Sequence, residues 1–86
     1  MTDFLKEITL ILAEYSTIPV EQIVQEDALD EIDIDSLSLV EIIFDLEERF
    51  DIKIPDEEDI SEMGMSMKNV GNVVKLVEHL VAEKEA

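Results

Sequence analysis

The chain contains no cysteine. Disulfide bonds and thiolate chemistry on the chain itself are therefore excluded. Positive charge is almost as scarce: 6 basic residues face 23 acidic ones, giving a formal charge of −17. Such a chain is repelled by nucleic acid and by anionic membrane surfaces, so neither is expected as a partner. No apolar run approaches the length of a membrane span, and the opening Met1-Thr2-Asp3-Phe4 carries no basic signal region. No membrane insertion is expected, and a reducing cytoplasm is the expected location. Strand patterns and internal repeats are missing too. What the chain does have is apolar residues, 47% of 86, too many for a disordered acidic tail. Residues 1–86 read as a single domain with one modest core and little room for an enclosed active site. Partners with basic patches, or divalent cations, are what this charge favours.

Helical spacing accounts for most of the apolar residues. Phe4, Leu5, Ile8, Ile11, Leu12 and Tyr15 predict an amphipathic helix from about Thr2 to Tyr15, capped by Thr2 or Asp3. Pro19 interrupts, and Pro19 to Ile23 suits a single helical turn. Residues 24–35 read as an acidic loop pinned to the core by Val24, Leu29, Ile32 and Ile34. A second helix is predicted over about 36–50. Leu39, Ile42, Ile43, Leu46 and Phe50 form its stripe, and Leu37, Val40 and Phe44 widen it past half the circumference. Glu41, Asp45 and Glu48 share the remaining face. Its first residue is ambiguous, because Ser36 is a candidate cap and Ser38-x-x-Glu41 a candidate capping box. Pro55 to Ile60 predicts a short third helix. Asn69 is a candidate cap for a last helix striped by Val70, Val73, Val74, Val77, Leu80 and Val81. The expectation is an all-α bundle of three main helices plus one short helix.

Catalysis finds little support in these residues. Ser36 as a nucleophile needs a base, and His79, the only histidine, is a lone helical residue. The carboxylates of the acidic loop fail as an EF-hand in either register. Counting from Asp33 puts Leu37 at a ligand position and Phe44 in place of the closing glutamate; counting from Asp30 puts Ile32 third. No specific metal site follows, though loose cation binding by Asp30, Glu31, Asp33 and Asp35 is expected to relieve self-repulsion. Ser36 is better read as a substrate. A phosphodiester on a helix N-terminus meets free backbone N–H groups and the positive end of the dipole. A flexible arm ending in a thiol would supply what this cysteine-free chain lacks.

Asp35-Ser36-Leu37, Val40-Glu41, Leu46-Glu47-Glu48, Phe50-Asp51 and Ile54-Pro55 together resemble the acyl carrier protein family. The resemblance covers nearly the whole chain and is closest over 32–58. It implies an acyl-carrier-like bundle that is not an enzyme. Ser36, within Asp35-Ser36-Leu37, would bear a covalent 4′-phosphopantetheine arm on which acyl intermediates travel as thioesters. Implied partners are a phosphopantetheinyl transferase (holo-acyl carrier protein synthase) and the acyltransferases and synthases of fatty acid, lipid or polyketide biosynthesis. These would bring basic docking patches to Glu41, Asp45, Glu47 and Glu48 on the second helix of a monomer. Two departures point to a specialised carrier. Asp33 stands where the family usually has glycine, an extra charge expected to stiffen or reposition the loop, and the connection over 61–69 is several residues longer. An acyl pocket lined by Val40, Phe44, Leu46, Met63 and Met65 is expected to open only when a chain enters. Peptidyl, aminoacyl and D-alanyl carriers share the serine motif, but the acidic second helix fits the acyl type better. The rival from another class is an unmodified acidic helical interaction module that docks on a basic partner.

Overall fold

The computed structural model describes residues 3–85. Helix α1, Phe4–Tyr15, begins where the Asp3 carboxylate accepts the Lys6 N–H at 3.1 Å. That bond occupies one of the N–H groups a helix start leaves unpaired. Thr2, the other candidate cap, lies outside the described residues. Ile8, Ile11 and Leu12 are the buried stripe of α1. The chain then makes a 3-10 turn at Val20–Gln22, where Pro19 supplies the extended residue before it.

The acidic loop is more ordered than its composition indicates. It contains a second 3-10 turn, Leu29–Ile32, and Leu29, Ile32 and Ile34 are buried. Val24 is exposed and Ile23 takes the inward position, a one-residue correction to the expected anchors. Two attachments fix the loop. Ser16 Oγ donates to the Ile32 carbonyl at 2.6 Å, and Leu29 N–H donates to the Lys68 carbonyl at 3.0 Å. The second belongs to an isolated antiparallel bridge between Ala28 and Asn69, and there is no strand among the described residues.

Helix α2 is Ser36–Phe50, α3 is Glu57–Glu62 and α4 is Val70–Glu85. The Asp56 carboxylate caps α3 through the Asp59 N–H at 3.0 Å. At the other end of α3, Gly64 has φ +75, and Met65 N–H reaches back to the Ile60 carbonyl at 3.1 Å. A left-handed residue closing a helix in this way is usually glycine, because a Cβ there is strained. Asn69 caps α4 by accepting the Asn72 N–H at 2.8 Å. Further N–H groups of α4 go to the acidic loop: Val70 to the Asp27 carbonyl at 3.0 Å and Gly71 to the Gln25 carbonyl at 2.9 Å. A Cβ at Gly71 would stand 3.3 Å from that Gln25 oxygen, so the helix-weakening glycine is what admits the close approach.

Helix α1 packs against both α2 and α4. Ile8 and Leu12 of α1, Ile42 and Leu46 of α2, and Val70, Val73 and Val77 of α4 are fully buried between them. Removing such apolar surface from water is the main favourable contribution to a bundle of this size. Leu76, absent from the expected stripe of α4, is also fully buried. Phe4 and Phe50 close one end, with ring centroids 5.5 Å apart. Among the described residues no helix is long and apolar enough to cross a membrane.

Candidate functional site: the start of α2 and its cleft

The cap of α2 is Asp35, not Ser36. Its carboxylate accepts the Ser38 N–H at 2.8 Å, and Ser36 is the first helical residue. Hydrogen bonds from Ser38 hold the Asp35 carboxyl below its ordinary value of 3.8. The stabilisation from this depressed carboxyl is present above that value and lost as pH falls through the folded one. With capping assigned to its neighbour, the exposed Ser36 hydroxyl sits at the positive end of the helix outside the capping bond.

The loop before Asp35 meets α2 through Asp33, which adopts φ 65, ψ 29. That left-handed conformation is the one glycine takes most readily, and aspartate tolerates it better than most residues. Thr17 donates its hydroxyl to the Asp33 carboxylate. The extra charge therefore keeps the backbone turn and ties it to the end of α1. Two other loop acids are similarly engaged: Asp27 accepts the Val24 N–H at 2.9 Å and Glu31 the Ala28 N–H at 3.1 Å. Carboxylates turned to local donors do not converge, and no group of three that could hold a metal ion exists among the described residues.

Ser36 opens onto a cleft of 920 Å³ between α2 and the α3 side of the molecule. Leu39, Val40 and Ile43 continue the α2 wall, and Ile60, Met65 and Met67 lie opposite. Three of the expected pocket residues are elsewhere. Leu46 is fully buried in the core, while Phe44 is 63% and Met63 38% exposed. The helical period explains the redistribution. Ser36, Leu39, Val40 and Ile43 follow the i, i+3, i+4, i+7 pattern of one face, whereas Phe44 is turned beyond it and Leu46 faces α1 and α4. The cleft is open to solvent.

The neighbouring face of α2 mixes apolar and acidic groups. Leu37 is 75% and Val40 48% exposed, and with Phe44 they flank the exposed Glu41 and Glu48. Leu37, Val40 and Phe44 thus do not widen the core stripe. The other acids expected on this face have internal partners. Glu47 Oε2 accepts the Ile54 N–H at 2.8 Å, bracing the turn after α2. Asp45 accepts the hydroxyl of Tyr15, thirty residues away on α1.

That bond pushes the Tyr15 hydroxyl up from 10.0 to about 12, with burial and the charges of Asp45, Glu41 and Glu14 adding to it. A raised tyrosine stabilises the fold below pH 10, and this stabilisation is lost as pH rises through about 12. Tyr15 is the only tyrosine and tryptophan is absent, so ultraviolet absorbance reports this titration alone. Asp45→Asn is expected to lower the midpoint toward 10.0. An unmoved midpoint in that variant would show that Asp45 does not set it.

A family model described as "Phosphopantetheine attachment site" matches residues 6–80. The chain belongs to the acyl carrier protein family. An acyl carrier protein of Rhodococcus erythropolis is 35% identical over 82 residues, covering 94% of this chain and 85% of the relative. An acyl carrier protein homolog of Mycoplasmopsis pulmonis is 40% identical over 68 residues, covering 79% and 86%. The meromycolate extension acyl carrier protein of Mycolicibacterium aurum is 38% identical over 65 residues, covering 76% and 62%. The carrier is a non-enzymatic protein that bears 4′-phosphopantetheine covalently. An exposed hydroxyl at a helix N-terminus, beside a cleft whose α2 wall is apolar, is chemically suited to such a group. The dipole favours the phosphodiester, and the cleft offers apolar surface to what the arm carries.

Proposed function

We propose that Ser36 bears the phosphopantetheine arm and that the carrier delivers acyl thioesters to cytoplasmic enzymes of fatty acid, lipid or polyketide biosynthesis. The observation that carries this reading is the division of labour at the start of α2. Asp35 caps the helix, and the exposed Ser36 hydroxyl faces outward beside the cleft. The acyl chain rests against Leu39, Val40, Ile43 and Met65. Co-expression with a broad-specificity phosphopantetheinyl transferase tests the site. Intact mass should rise by one arm, and peptide mapping should place it on Ser36 rather than on Ser38. An arm on Ser38, or no gain in mass, would refute the assignment.

The transferase, acyltransferases and synthases dock on the exposed face of α2. Leu37, Val40 and Phe44 supply apolar anchors there, and Glu41 and Glu48 meet basic residues. Asp45 and Glu47, with internal partners, contribute less. Charge reversal at Glu41 and Glu48 together should lower transferase kcat/KM about tenfold or more at low salt, with the deficit shrinking as salt rises. Phe44→Ala should instead act mainly through dissociation and depend little on salt. Equal salt dependence for the two variants would sink this partition. An unmodified interaction module would bind through the same face yet gain no arm, so the mass measurement also separates the two classes.

A further inference from the structure

The lining of the cleft is unbalanced in charge. Asp56, Glu57, Glu58 and Glu62 contribute to it, and Lys68 is its only cation. Asp35 stands immediately before Ser36 and is itself a carboxylate. An anionic group on Ser36 Oγ would therefore meet like charge on the loop side and along α3. Like charges at close range oppose one another, and a nearby ammonium is the available remedy.

Three observations mark Lys68 for this role. It lines the same cleft as Ser36. Its backbone is fixed, because its carbonyl accepts the Leu29 N–H at 3.0 Å in the bridge that joins the connection to the acidic loop. Its ammonium takes part in none of the ion pairs among the described residues, in a chain with 23 acids; those pairs use Arg49, His79 and Lys84.

We propose that Lys68 pairs with the phosphodiester of the arm and turns the arm toward the cleft. This rests on the reading of Ser36 as the attachment site. The arm is covalently present whatever Lys68 does, so Lys68 is a positioning residue. The connection over 63–69, between α3 and α4, thereby gains a purpose: it carries a cation that lines the same cleft as Ser36. Pairing of this kind is weak and salt-dependent, which suits an arm that must leave again for a partner.

The test compares fully loaded holo-protein, verified by mass, in the wild type, Lys68→Gln and Lys68→Arg. All three should melt alike, since the Lys68 side chain is exposed and outside the ion pairs. At low salt the wild type should show proton cross-peaks between the Lys68 ε-methylene and the arm methylene beside the phosphate. The phosphorus resonance should be broadened by restricted motion. Lys68→Gln should narrow that resonance, Lys68→Arg should keep it broad, and salt should narrow it in the wild type. Full loading with identical phosphorus line widths in wild type and Lys68→Gln, and no Lys68 cross-peaks, would overturn the proposal. A wild-type chain that gains no arm at Ser36 would overturn the attachment reading instead.

Discussion

Ser36→Ala folds as the wild type does and accepts no arm. The two halves of this expectation have separate causes. The hydroxyl is the only Ser36 atom that can form the phosphodiester, so its removal takes loading from complete to none. Stability is spared because the capping carboxylate is that of Asp35, which still accepts the Ser38 N–H. Alanine is also a better helix former than serine at an exposed helical position. The change in unfolding free energy should stay within about 0.5 kcal/mol. Asp35→Ala is the contrasting variant: it keeps the hydroxyl and loses the cap, so it should melt below both wild type and Ser36→Ala. Intact mass and thermal melts on the three proteins decide the matter. Residual loading of Ser36→Ala would move the attachment site, and a large loss of stability would return the cap to Ser36.

Leu46→Ala should be the most destabilising single change on α2. Leu46 is fully buried among α1, α2 and α4, and truncation there leaves a cavity the bundle cannot fully close. The cost of such a change is about 3 kcal/mol, a large part of what a domain this small has in reserve. The melting temperature should fall by roughly 12 °C or more. Phe44→Ala, of comparable size but at a 63% exposed position, should change it little. The pair separates core from surface on one helix. If Phe44→Ala proved as damaging as Leu46→Ala, Phe44 would belong to the core after all.

Helical period made α1, α2 and α4 readable, because each buries a stripe that repeats in the sequence. The same signal did not separate the exposed Leu37 and Phe44 from the core stripe. Apolar residues at helical spacing look alike whether they pack inward or await a partner. The cleft wall was readable in principle, since Ser36, Leu39, Val40 and Ile43 obey one period; attention to methionine and to the widest stripe drew Phe44, Leu46 and Met63 in instead. The turn at Leu29–Ile32 was not readable locally. It depends on bonds to Ser16 and Lys68, remote in sequence. The Tyr15–Asp45 bond is likewise tertiary, and it gives an internal partner to an acid that spacing alone had placed with Glu41 and Glu48. Ser36 is proposed as the site through its sequence neighbours, whereas the assignment of the cap to Asp35 came from the structure, because Asp35 and Ser36 are both good caps by composition.

The apolar face of α2 has a consequence for the behaviour of the carrier on its own. Leu37 and Phe44 expose to any second copy the same apolar surface proposed to meet an enzyme. Two copies meeting there would bring Glu41 and Glu48 of one against the same acids of the other, on molecules each carrying a formal charge of −17. Colloidal repulsion therefore guards a surface that cannot be made polar without losing its use. The protection is conditional on ionised carboxylates and an unscreened field, with a range of about 10 Å at 0.1 M salt. Acidification and concentrated salt both remove it, and they do so at the face proposed for docking.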